Sequence, residues 1–202
     1  MSLVTRLVKE RGGSTRIELN TGERLRAPTA VISGLECEEG DEVEPERLRS
    51  QIHEQASEIL PDKARRYLAR YSKSTEGFIE HFTRKEYPKE LVSGMVDDLR
   101  EEGFLDDERM AREHVRRRKR NKPRGRQKLV AELLEKGVEK SLARSIVHKE
   151  VPREEERRMA REYCEKNRGC SRQKLARRLS SRGFPSHLIH DLLDEFASGS
   201  KP

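Results

Sequence analysis

The stretch Gly125-Arg126-Gln127-Lys128-Leu129-Val130-Ala131-Glu132-Leu133-Leu134-Glu135-Lys136-Gly137-Val138 contains a helix and its ending. Leu129 and Leu133 lie four apart, the spacing of one helix face. Gly137 follows where a helix can close in the left-handed conformation. The same frame returns twice more. With Glu86, Gly137 and Gly183 superposed, at offsets of 51 and 46 residues, the apolar positions coincide without gaps. Eight residues upstream stand Phe78, Leu129 and Leu175, and four upstream Phe82, Leu133 and Leu179. One residue downstream come Tyr87, Val138 and Phe184, followed by Leu91, Leu142 and Leu188. Met95, Ile146 and Leu192, then Val96, Val147 and Leu193, complete the register. A small residue (Ser74, Gly125, Ser171) recurs where each helix would start. The repeat is internal, threefold and helical.

In each copy, an apolar spacing of four, a break and another spacing of four describe two helices joined by a short turn. Pro88 and Pro185 suit the start of the second helix of the pair. A further helical stretch precedes each pair and contains Ala64, Ala111 or Ala160. The unit is thus three helices, the last of them expected at 88–101, 139–150 and 185–197. No such helix can bury its stripe alone, so neighbours must pack. The expected fold is mainly α, an elongated array of three three-helix repeats at 61–105, 106–151 and 152–202. A small β-containing module at 1–60 precedes it. In that module Thr15 to Leu19 and Glu23 to Arg26 flank Asn20-Thr21-Gly22 as a hairpin would. Another short strand is expected near Val43, and a helix from Pro45 that stops near Pro61.

Composition agrees with small modules rather than one deep core. Of the 202 residues, 40% are charged, 32% hydrophobic and 4% aromatic. No apolar run approaches the roughly 18–20 residues of a membrane span, and Met1 to Gly13 lacks the pattern of a secretory signal. Cys37, Cys164 and Cys170 make an odd count with no Cys-x-x-Cys pair, which argues against a disulfide framework or a zinc site. The expectation is a soluble, cytoplasmic protein without cofactor or metal, monomeric rather than oligomeric.

The net charge of +7 is unevenly placed. Residues 1–60 carry 8 cations and 12 anions, and 61–110 carry 10 and 12. Residues 111–151 carry 14 cations and 5 anions, net +9, and 152–202 carry 12 and 8. A polyanion is the partner such a second half would suit. A helix beginning at Asp106 or Asp107 places Arg109, Arg112, Arg116, Lys119 and Arg120 within one arc of about 100°. Met110, Ala111, His114 and Val115 fall on the opposite side. Arg117 stands beside that arc, and Lys122-Pro123-Arg124-Gly125 breaks the helix and carries the charge onward to Arg126 and Lys128. Together these ten cations form the candidate surface for DNA or a protein filament, with phosphate contacts whose strength falls with salt.

Gly103-Phe104-Leu105-Asp106-Asp107-Glu108-Arg109-Met110-Ala111, then Lys122-Pro123-Arg124-Gly125, then Glu132-Leu133-Leu134-Glu135-Lys136-Gly137-Val138, resembles the bacterial RecX family of recombination regulators. So does Arg182-Gly183-Phe184-Pro185 with the apolar helix behind it. The resemblance covers about residues 61–197. Met110 stands where the family usually has Phe, and Glu86 replaces the Gly of the first repeat's turn. The resemblance implies a curved array of three-helix repeats that is not an enzyme. It implies binding to the RecA recombinase in the groove of its filament on single-stranded DNA, with inhibition of ATP hydrolysis, strand exchange and co-protease activity.

Two other function classes compete with that expectation. In one, the third helices read the major groove of duplex DNA as helix-turn-helix units do. Their exposed positions, with Glu90, Asp97, Asp98, Glu101, Glu102, Asp191, Asp194 and Glu195, make a poor surface against phosphates. In the other, the array is a protein-binding scaffold without DNA contact. Catalysis has little support. His53, His81, His114, His148, His187 and His190 specify no ligand set, and His187 and His190, three apart, are expected as ordinary helix-surface positions. Asp106-Asp107 is explained by the favourable field of a helix N-terminus. Phe78, Phe82, Phe184 and Phe196 sit on core stripes, so no aromatic platform for bases is expected.

Overall fold

The computed structural model describes residues 1–35 and 37–198. The chain divides into two compact units, Met1–Asp106 and Asp107–Pro202. The first begins with strands β1 (Ser2–Lys9), β2 (Ser14–Leu19), β3 (Arg24–Pro28) and β4 (Glu42–Val43), antiparallel in the order β3-β2-β1-β4. The β2–β3 hairpin turns on Asn20-Thr21-Gly22, as its residues predict. Leu19 N–H donates to the Glu23 carbonyl at 2.9 Å, and Gly22 adopts φ 88°. Strand β1 is an addition. A register shift between Val4 and Arg6 interrupts its alternation, so Val4 is buried while Leu3 is exposed and Leu7 and Val8 are half-buried. That irregularity hides the strand from a period-2 reading.

After the short helix α1 (Thr29–Ile32), helix α2 spans Pro45–Leu68. Pro45 starts it as expected, but the stop predicted at Pro61 does not occur. A proline inside a helix costs about 3 kcal/mol. Burial of Leu60, Ala64 and Leu68 immediately around it offsets that cost, at about 1.5–3 kcal/mol for each leucine. Helix α2 therefore belongs to two cores. Its Leu48 packs with Val4, Ile17, Leu25 and Ile32 over the sheet. Its Leu60, Ala64 and Leu68 pack with Phe78, Phe82 and Leu99 of the first repeat.

The first repeat continues through α3 (Thr75–Thr83), α4 (Lys89–Gly94) and α5 (Val96–Glu101). Its third helix, expected to run unbroken over 88–101, is interrupted at Met95, just after Ser93-Gly94, a pair with poor helix propensity. The second unit holds α6 (Asp107–Asn121), α7 (Arg126–Leu134) and α8 (Lys140–Glu150). Then follow α9 (Arg153–Glu165), α10 (Arg172–Ser181) and α11 (Ser186–Ser198). These six helices share one continuous core, from Val115, Leu129 and Ile146 to Leu179, Phe184 and Leu192.

The three turns that set the repeat register are built alike. At each, the N–H of the turn residue donates to the carbonyl three residues back, and the next N–H to the carbonyl five residues back. The pairs are Glu86 to Thr83 with Tyr87 to Phe82, Gly137 to Leu134 with Val138 to Leu133, and Gly183 to Ser180 with Phe184 to Leu179. This Schellman closure needs positive φ. Gly137 adopts 79°, Gly183 81°, and Glu86 takes 65° despite its side chain. Tyr87 and Phe82 make the accompanying apolar contact, with ring centroids 5.5 Å apart.

Gly125 is glycine for a different reason. Its φ of −65° is ordinary, but a Cβ there would lie 2.1 Å from the Gly183 carbonyl oxygen. Gly125 N–H donates to the Arg182 carbonyl at 2.9 Å, so the loop before α7 is laid directly on the turn after α10. Gly125→Ala should lower unfolding stability by about 1–3 kcal/mol, as overpacking does. Glu86→Gly should raise it by about 0.5–1 kcal/mol, since positive φ penalises a Cβ and glycine's extra unfolded-state freedom returns part of the gain. Urea denaturation of the two variants measures both.

Candidate nucleic-acid interface

Helix α6 starts with Asp107 and Glu108 in its first turn and ends with Arg118, Lys119 and Arg120 in its last, an arrangement its dipole favours at both ends. Met110, Ala111, His114 and Val115 are buried beneath it, so the stripe predicted from 100° per residue is the stripe that packs. Nine of the ten predicted cations separate into two groups.

One group is held internally. Arg112 pairs with Glu108 one turn back. Arg116 makes a two-pronged contact with Glu150, both bonds at 3.0 Å. Lys119 reaches Glu155 at 3.1 Å and the Glu150 carbonyl at 2.9 Å. These contacts tie α6 to the end of α8 and the start of α9. The hydrogen bond from Arg116 holds the Glu150 carboxyl below its ordinary range. Arg124 lies 3.7 Å from Glu132, close enough for attraction but too far for a hydrogen bond.

The other group, Arg117, Arg120, Lys122, Arg126 and Lys128, has no carboxylate partner among the described residues. Arg120 and Lys122 are exposed, and Lys128 is half-buried with its Cβ over Gly183. Arg117 is exposed and reaches the His114 ring at 3.4 Å. Arg126 sits at the start of α7, where its side chain donates to His148 Nδ1 at 2.9 Å. Its backbone N–H donates at 2.7 Å to Glu156, a buried carboxylate that caps α7 from helix α9. Arg109 is exposed on the first turn of α6.

Beneath this surface lies an ionic cluster that the sequence reading missed. His114 is 3% exposed and Glu132 7%; the predicted stripe includes the histidine but not its carboxylate partner. The His114 Nε2 lies 2.8 Å from Glu132 Oε2, and Arg118 Nε donates to the same oxygen at 2.7 Å. Burial would raise the Glu132 carboxyl, but the bonds from His114 and Arg118 hold it below its usual value. Burial pushes the His114 imidazole down from its ordinary value, against the pull of Glu132. A neutral ring donating from Nε2 leaves Nδ1 to accept from Arg117, which fits both contacts. A hint lay in the repeat itself: the position of Glu132 is His81 in the first copy and Arg178 in the third. Conserved spacing of leucines says nothing about such a changing polar site. In the first copy, His81 stacks on Tyr67 with centroids 3.9 Å apart, and burial with Lys85, Lys73 and Arg84 nearby lowers it to about 4.

Residues 106–145 match the family model for RecX, second three-helix domain. The chain thus contains a RecX-type three-helix domain. Its fold is that of a crystal structure of regulatory protein RecX, 17% identical, at a TM-score of 0.61 over 96% of this chain and all of that one. The crystal structure of RecX from Lactobacillus salivarius, 16% identical, gives the same TM-score over 72% of this chain and 97% of its own. No curated protein matches the sequence at a significant level. The RecX domain match thus falls on the segment that carries α6, the Lys122-Pro123-Arg124-Gly125 loop and the buried Glu132 cluster. Among the described residues no helix is long and apolar enough to cross a membrane.

Both lowered histidines make stability depend on pH. Each binds its proton more readily in the unfolded chain, so stability is lost as pH falls from the ordinary imidazole value of about 6.5 toward the lowered native values. Denaturation at pH 7 and pH 5 should show this loss, and His114→Gln should reduce it. Glu132→Ala leaves Arg118 and Arg124 without their carboxylate and the neutral His114 ring without its acceptor. It should cost about 3 kcal/mol at pH 7, the low end for a broken buried pair because Arg118 keeps some solvent.

Proposed function

We propose that the protein is a negative regulator of RecA. It binds the RecA filament on single-stranded DNA and inhibits ATP hydrolysis, strand exchange and co-protease activity. The observation that carries the reading is the coincidence of the RecX domain match, residues 106–145, with the most cationic segment of the chain. Arg117, Arg120 and Lys122 leave charge unneutralised at the end of α6 and in the loop after it. Such a surface can meet phosphates of single-stranded DNA or acidic side chains of the recombinase. The protein then acts by holding the filament rather than by chemistry of its own. It bridges neighbouring protomers and so opposes the rearrangements that turnover needs. No aromatic platform accompanies these cations, so the DNA contact is one of phosphate and is weakly specific.

The duplex-reading alternative has less support. Asp97, Asp98 and Glu101 on α5, and Asp191, Asp194 and Glu195 on α11, are exposed and would face groove-wall phosphates. Arg116 and Lys119 are poor choices for a test, since Glu150 and Glu155 depend on them. The informative variant is Arg117→Glu/Arg120→Glu/Lys122→Glu, read in ATP hydrolysis by RecA on single-stranded DNA at two salt concentrations. Wild-type protein should inhibit below one molecule per RecA. The folded variant should need about tenfold more, with a weaker dependence on salt. Full inhibition by the variant would remove this surface from the mechanism, and absence of inhibition by the wild type would remove the reading itself.

A further inference from the structure

The aromatic side chains of the first repeat divide by exposure. Phe78 and Phe82 are buried on the core stripe, where their spacing puts them. Tyr71, just beyond the end of α2, is 55% exposed, the one exposed tyrosine or phenylalanine among the described residues. Its N–H donates to the Tyr67 carbonyl at 3.0 Å, so the helical screw runs on and brings the two rings together, centroids 5.1 Å apart. Ser74 then caps α3 by accepting from the Gly77 N–H at 3.0 Å. The return of α3 lays the His81 ring nearly flat on Tyr67, at 3.9 Å and 13°. Phe82 braces both of those rings edge-on from the core. Three rings thus adjoin in the order His81, Tyr67, Tyr71, and the last is open to solvent.

The charge around these rings is mainly positive. Residues 63–73 hold five cations and two tyrosines with no carboxylate. Arg65 is committed to Glu102, and Arg66 lies beside Asp62 at 3.5 Å. Lys63, Arg70 and Lys73 are exposed and have no ion-pair partner among the described residues. At 100° per residue, Lys63, Tyr67, Arg70 and Tyr71 fall within one arc of about 100°. Burial, then Lys85, Lys73 and Arg84, lower the His81 imidazole, so the charges that reach the rings from both sides are cations. The carboxylates of α3 do not cancel them. Glu80 pairs with Arg84 at 3.9 Å, and Glu76 lies about 140° around α3 from His81. Glu86, on the turn that follows, stands alone against Lys63, Arg70, Lys73 and Lys85.

An open aromatic ring among unpaired cations suits a single strand, whose unstacked base offers a π-face while its phosphates meet the cations. Duplex DNA keeps its bases stacked on one another, and an acidic peptide would use the cations but leave the ring idle. We infer that the first repeat binds single-stranded nucleic acid by stacking a base on Tyr71, with Arg70 and Lys73 on the adjacent phosphates. The inference rests on the proposed contact with single-stranded DNA, not on inhibition of the recombinase. It adds a base contact to the phosphate contact proposed for α6.

The test is fluorescence anisotropy on the full chain without recombinase, using an oligodeoxythymidylate and an abasic strand of equal length. Wild-type protein should bind the thymidylate about tenfold more tightly than the abasic strand. Tyr71→Ala should weaken thymidylate binding by about five- to tenfold, with abasic binding, salt slope and thermal midpoint little changed. Tyr71→Phe keeps the ring and should bind as wild type does. Arg70→Gln/Lys73→Gln should instead reduce the logarithmic salt slope by about 1.4, at roughly 0.7 per lost phosphate contact. Equal affinity of wild type for the two strands, or thymidylate binding untouched by Tyr71→Ala, would overturn the inference and leave the phosphate contact standing. An equal loss on both strands in Tyr71→Ala would also overturn it, because stacking cannot act on a strand without bases. Failure of the wild type to bind either strand would overturn it together with the DNA contact.

Discussion

A helix must end at residues 86, 137 and 183 for any of the three-helix units to close, and it must end the same way each time. The two nested hydrogen bonds of the Schellman turn do this, and they demand positive φ. Everything downstream in each repeat depends on that reversal, because it brings Tyr87, Val138 and Phe184 back beneath the helix they follow. In the last repeat the turn has a second duty. Its Arg182 and Gly183 receive the loop that ends α6, backbone against backbone, and only glycine at 125 permits that approach. One local conformation thus sets both the repeat and the seating of the second repeat on the third.

The electrostatics of the second unit follow from this seating. Laying α6 near the junction of α8 and α9 brings Arg116 and Lys119 to Glu150 and Glu155, while Glu156 caps α7. A net +9 segment therefore does not present a net +9 surface. Part of its charge joins the helices, part surrounds the buried Glu132, and the remainder faces outward. The distinction matters for function, since only uncommitted cations can release counterions from a polyanion. Arg144, and Arg153 beyond the segment, join that outward set although nothing in their local sequence marks them.

Much of the architecture was legible because helical repeats declare themselves in apolar spacing. Leu129, Leu133, Val138 and Ile146 and their equivalents are buried where the superposed frame put them, except for the half-buried Met95, and the hairpin at Asn20-Thr21-Gly22 was marked by its turn residues. Strand β1 was not legible, since its bulge breaks the period that would reveal it. The passage of α2 through Pro61 was not legible either. Local preference there opposes the helix, and burial by distant residues decides the outcome.

The sequence by itself determined the repeat, its helices, its turns and the cationic segment, together with the RecX resemblance carried by Leu105-Asp106-Asp107-Glu108-Arg109 and the loop behind it. All of these are encoded by residues within a few turns of one another. Tertiary structure alone decided which arginines are committed to carboxylates, that His114 is buried beside Glu132, and that His81 returns to stack on Tyr67. Those outcomes depend on pairs of residues 14 to 59 positions apart, such as Arg118 with Glu132 and Pro123 with Arg182. Charge and hydrogen bonding act through distance in space, and the spacing of residues along the chain does not contain that distance until the helices have packed.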